Sequence, residues 1–113
     1  MRPNKLYLTD IVEAAEAIER FIAGLSKDKF VDDELHQSAV LQKLLIIGEA
    51  AVRLPASFKD QHPHIPWSEI VGFRNIVIHV YFAINLDIVW ETSTVDVPNL
   101  RNQVAEILAK GNF

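Results

Sequence analysis

The sequence predicts an all-α fold, an antiparallel helical bundle of about four to five helices. Three observations carry that expectation. Apolar residues recur at spacings of three and four over most of the chain, Pro and Gly punctuate it between these stretches, and no segment offers a partner for an isolated strand. At 113 residues the chain fits a single domain, 1–113, with no Gly/Ser linker, repeat or long charge run to divide it.

The first helix is predicted from about Leu6 to Leu25, where Leu8, Ile11, Ala15, Ile18, Ile22 and Leu25 form one stripe. Glu13, Glu16, Glu19 and Arg20 fall mostly on the other side, and Gly24 with Ser26 and Lys27 makes a stop. Lys27 to Asp33 is polar apart from Phe30 and Val31 and reads as a loop. Asp32 or Asp33 then caps a second helix that reaches Leu54, where Pro55 ends it. Its latter half is apolar nearly all round, so more than one neighbour must cover it, a second subunit included. Gly48 lies in its middle at a cost of about 1 kcal/mol relative to Ala, a sign of close approach by another helix.

Pro55 to Pro66 reads as a loop with room for one short turn. Pro66 opens a third helix through Trp67, Ile70, Val71, Phe73, Ile76, Val77 and Val80. Val77 to Phe82 also suits a strand, but helix is preferred for want of a partner strand. Asn85 caps a fourth helix, Thr92 to Asp96 breaks the pattern, and Pro98 to Gly111 bounds the last. Trp67 and Trp90 are core or interface aromatics.

Composition narrows the function classes. Half the residues are hydrophobic and 23% charged, the net charge is −4, and there is no cysteine. Disulfide and thiol chemistry are excluded, and a reducing cytoplasm is the expected location. The acidic balance argues against a broad nucleic-acid-gripping surface but leaves a local basic pocket possible. No apolar run reaches the roughly 18 residues that a membrane span needs.

Chemistry concentrates in Gly72-Phe73-Arg74-Asn75-Ile76-Val77-Ile78-His79-Val80-Tyr81. Arg74 and Tyr81, seven apart, lie about 20° from each other on a helix and share a face, whereas His79 lies about 140° from Arg74. One straight helix therefore cannot gather all three. Either the helix ends near His79, or the groups meet their copies from a second subunit, and the interface is the preferred reading. Arg with His and no ligand cluster suits phosphodiester chemistry: His moves a proton, and Arg stabilises charge on the phosphate. RNA is the natural substrate, because its 2′-OH supplies an internal nucleophile and no cofactor is needed. Asn75 can orient either group. Glu49 pairs either with Arg53 four residues on or with Arg74. His62 and His64 look like loop residues rather than metal ligands, since no third ligand accompanies them. His36 lacks a partner pattern and is expected to be exposed.

Arg74, His79 and Tyr81, taken with Ile47-Gly48-Glu49-Ala50-Ala51, Pro63-His64-Ile65-Pro66-Trp67 and Asp87-Ile88-Val89-Trp90, resemble the HEPN-domain proteins, and most closely the HepT-like toxins of HepT/MntA toxin–antitoxin systems. Members carry Met or a similar apolar residue where Phe73 stands, a mild departure. The resemblance covers most of the chain. It implies a homodimer with paired motifs facing a cleft, and a metal-independent endoribonuclease toxin with Arg74 and His79 catalytic and Asn75 and Glu49 in support. It also implies a minimal nucleotidyltransferase antitoxin that attaches AMP to Tyr81, placing phosphate and adenine beside Arg74 and His79. Two rival readings use the same residues. In one, a non-catalytic module docks or presents nucleotide to the nucleotidyltransferase. In the other, a purely structural bundle satisfies Arg74 and His79 with Glu49 or Asp87.

Overall fold

The computed structural model describes residues 2–113, which are helical over most of their length, with no strand among them. α1 spans Asn4–Ile22 and buries Leu8, Ile11, Ala14, Ala15, Ala17 and Ile18; of the predicted stripe, Ile22 is half-buried and Leu25 lies beyond the helix end. Gly24, at φ +78°, turns the chain after it. The next segment is not the loop its polarity suggests. Lys27–Val31 forms a short helix, α2, whose Ser26 hydroxyl accepts from the Lys29 N–H. Phe30 anchors it: the ring is wholly buried and lies 5.3 Å from that of Trp90. A single large aromatic outweighs the polar composition around it.

α3, Glu34–Arg53, starts as expected with the Asp33 carboxylate accepting from the His36 N–H at 3.1 Å. His36 departs from expectation. It is half-buried, and its Nδ1 lies 2.6 Å from Asp33 Oδ2, so the capping residue also supplies its partner. Beyond Leu54 the prolines bracket a five-residue helix, α4 (Ala56–Asp60), that packs the buried Phe58 edge-on against Trp67. The Trp67 indole N–H donates to the His62 carbonyl at 3.0 Å, fixing the entry into α5, Trp67–His79.

Asn85 caps α6 (Leu86–Glu91), accepting from the Asp87 and Ile88 N–H groups. Thr92–Asp96 does not break the helix. It widens into one π-helical turn and leads straight into α7, Val97–Lys110, with Thr92 and Val97 both in right-handed helical conformation. The Thr94 hydroxyl donates to the Trp90 carbonyl at 2.8 Å within this turn. Such local side-chain bonding explains why Ser-Thr-rich sequence reads as a break while the backbone stays helical.

The helices pack α1 against α3 and α7, and α3 against α5. Their directions follow from which residues meet. Gly48 faces Arg74, whereas Gln37 and Leu41 sit beside Tyr81 and Phe82, so α3 and α5 run antiparallel. Glu16 pairs with Arg101 at 2.8 Å, while Asn4 lies near Asn112 and Ala23 near Ser93, so α1 and α7 do too. The core is built from Leu8, Ile11, Ile18, Val40, Leu44, Ile47, Val104 and their neighbours. None of the described helices is long and apolar enough to cross a membrane.

Candidate active site

α5 delivers the polar groups, and its contact with α3 fixes the first of them. A methyl group at Gly48 would collide with Arg74 Cβ and lie 2.5 Å from its Cγ. Only glycine lets α5 come this close, which is the close helix approach its mid-helix position implies. The adjacent α3 residue, Glu49, then meets the guanidinium. Arg74 Nε donates to Glu49 Oε1 at 2.6 Å, Nη2 lies 2.5 Å from the same oxygen in the ion pair, and Nη1 donates to Asn75 Oδ1 at 2.9 Å. Glu49 thus chooses Arg74 over Arg53.

This ion pair sits at the protein surface: the Arg74 side chain is 25% exposed and that of Glu49 38%. A guanidinium carries five N–H donors, and two are engaged in hydrogen bonds, which leaves three for a ligand. Arg74 is therefore held without being used up. Asp87 takes no part, since its carboxylate lies 3.3 Å from Lys27 Nζ.

His79 is the last residue of α5 and is exposed, with no ion pair among the described residues. α5 stays regular through His79, so Arg74 and His79 remain on different faces of one helix, and the helix ends just beyond them. Val80 leaves helical geometry at φ −128°, ψ 31°, and Tyr81–Ala83 forms a 3-10 turn. The seven-residue relation that would put Tyr81 on the Arg74 face consequently fails. Tyr81 instead lies beside Phe82, ring centroids 5.4 Å apart, over a recess lined by Gln37, Ser38 and Leu41. Its side chain is 40% exposed. Ile76, Ile78, Val80 and Ile88, on and just beyond this end of α5, are also more than 40% exposed.

The loop histidines stay apart from this region. The His62 ring packs on Phe58 at 4.6 Å and edge-on to His64 at 6.0 Å. No group of three or more His, Cys, Asp or Glu among the described residues has metal-binding geometry. The residue that sequence reasoning overlooked is Phe82, fully exposed three positions after His79. Its signal was an aromatic continuing the run past the motif, where burial is the ordinary assumption.

With that geometry in hand, comparison with known proteins gives a consistent picture. The family model described as Ribonuclease HepT-like matches residues 11–107. A protein of Caldanaerobacter subterraneus subsp. tengcongensis named "Putative RNase" is 40% identical over 110 residues, covering 97% of this chain and 98% of its own. The "Probable ribonuclease HepT" of Thermococcus cleftensis is also 40% identical, over 94% of this chain and 96% of its own. A Methanocaldococcus jannaschii protein named "Gamma-glutamylcyclotransferase and putative RNase" is 36% identical over 92% of this chain but only 47% of its own length. No solved structure matches the chain.

Proposed function

Because the chain belongs to the ribonuclease HepT-like family, we propose that it is a metal-independent endoribonuclease acting as the toxin of a toxin–antitoxin pair. The observation that carries this reading is the presence on one helix of a braced Arg74, with three N–H donors to spare, and an exposed His79 at the helix end. His79 accepts the proton of the ribose 2′-OH as that oxygen attacks the adjacent phosphorus. The P–O5′ bond breaks, the O5′ leaving group takes up a proton, and a 2′,3′-cyclic phosphate and a 5′-OH result. Arg74 donates to the phosphate oxygens while charge gathers on them. Asn75 and Glu49 hold Arg74 in position.

A homodimer completes the site. The exposed apolar side chains Ile76, Ile78, Val80 and Ile88 are the kind of patch that a second subunit covers, and they adjoin Arg74 and His79. A partner nucleotidyltransferase silences the toxin by attaching AMP to Tyr81, whose exposure makes it accessible to such an enzyme. The rival reading, a non-catalytic module that docks that partner, also draws on the exposed Tyr81 but needs no proton transfer at His79. Induced expression in a bacterial host separates the two. The parent chain arrests growth, whereas Arg74→Ala and His79→Ala do not, with circular dichroism unchanged. Persistent arrest by both variants would defeat the assignment.

A further inference from the structure

Within its own chain Phe82 is not packed into the core. Its side chain is 101% exposed, on the 3-10 turn directly after the helix that carries Arg74 and His79. An apolar side chain exposed to this degree is a binding feature more often than a packing one when it adjoins other apolar groups. Tyr81 meets the Phe82 ring nearly at right angles, 82° between planes. An edge contact of this kind leaves the ring open to a ligand.

Beside the two rings lies a recess of about 410 Å³ that includes Asp32, Glu34, Gln37 and Ser38 in its lining, a size that suits a small planar ligand. Its polar wall is rich in acceptors. Asp32 and Glu34 present carboxylate oxygens. Gln37 gives one amide N–H to the Phe30 carbonyl at 2.9 Å, which fixes the amide and leaves its oxygen to accept beside one remaining N–H. Anionic phosphate is repelled from such a wall and stays on the Arg74 side, whereas the neutral edge of a nucleobase is not repelled. An aromatic face beside a hydrogen-bonding wall is how unpaired bases are commonly held.

Resting on the ribonuclease reading, we infer that Phe82 is the stacking platform for an unpaired base of the RNA substrate. Asp32, Glu34 and Gln37 select a base that bears an exocyclic amino group. Adenine, cytosine and guanine offer N–H₂ donors to these acceptors, and carboxylates accept well from such amino groups. Uracil offers only N3–H between two carbonyl oxygens, which face the acceptors unfavourably. The platform therefore discriminates against uracil at the bound position.

The test is equilibrium binding of fluorescein-labelled 2′-O-methyl hexamers of A, C or U to the full chain, followed by anisotropy. These probes lack the attacking hydroxyl and are not cleaved, so the result is independent of catalysis. The parent binds the A and C hexamers more tightly than U. Phe82→Ala weakens their binding by roughly 5- to 100-fold, and Phe82→Trp restores it. Glu34→Gln and Asp32→Asn narrow the gap between A or C and U. Equal binding by Phe82→Ala and parent would overturn the inference, as would a change in assembly mass on light scattering, which makes Phe82 an interface residue. Binding as described without cleavage of unmodified RNA strikes the nuclease reading alone.

Discussion

The guanidinium of Arg74 is positioned by two residues that serve it in different ways. Glu49 accepts from its Nε–H and pairs with its charge, and Gly48 supplies room. Glu49→Gln should lower RNA cleavage by roughly 10- to 100-fold, since a loosened guanidinium misplaces the phosphate. The same change should cost less than about 1 kcal/mol of stability, because both side chains are at least a quarter exposed and solvent screens the pair. Steady-state kinetics beside a urea melt checks both halves, and a loss of stability as large as the loss of activity would contradict the positioning role. Gly48→Ala should behave differently. Ala favours the helix by about 1 kcal/mol, but the added methyl would meet Arg74 Cβ and Cγ, and overpacking costs about 1–3 kcal/mol. A lowered Tm is expected, and a raised one would show that α5 gives way freely. At this scale the sequence was legible where a residue's type is anomalous for its place, as with Gly48 amid helix and Glu49 amid apolar neighbours. It was not legible at His36, whose partner is the capping Asp33, because a capping aspartate is read as spent on the backbone.

Whole elements were legible in proportion to their length. The stripes of α1, α3 and α7 span several turns, so boundary errors of a few residues leave the element intact. α2 was invisible because five residues cannot show a period, and its existence depends on Phe30 reaching Trp90 across the fold. The Thr92–Asp96 turn was misread as a break because π-helical backbone has no composition of its own. The end of α5 matters most for the site, since two residues past His79 decide where Tyr81 points. The α3 start makes a pH prediction. Hydrogen bonding by the His36 N–H, then by its ring, holds the Asp33 carboxyl below the ordinary carboxylate value. A lowered folded-state pKa stabilises above the unfolded value and fades as pH falls through the folded one. The Tm deficit of Asp33→Ala should therefore be full at pH 7 and shrink in acid below the carboxylate range. A deficit independent of pH would point to packing instead of the cap.

For the molecule as a whole, the chain closes an antiparallel bundle yet leaves Ile76, Ile78, Val80 and Ile88 uncovered around the end of one helix. Ile76→Glu with Ile78→Glu should yield a folded monomer by light scattering and abolish cleavage, if the site needs two copies; a monomeric parent would contradict this. The all-α class was legible from periodicity alone, but assembly was not, because an apolar residue covered by a neighbouring helix and one covered by a second chain look alike in sequence. The central claim remains that Arg74 and His79 cut RNA without metal. Cleavage of a mixed RNA pool by purified protein in EDTA, beside His79→Ala, tests it most directly. The parent should cut and leave cyclic phosphate ends while the variant does not. An inactive parent, folded and unmodified at Tyr81 by mass, or an equally active His79→Ala, would contradict the account.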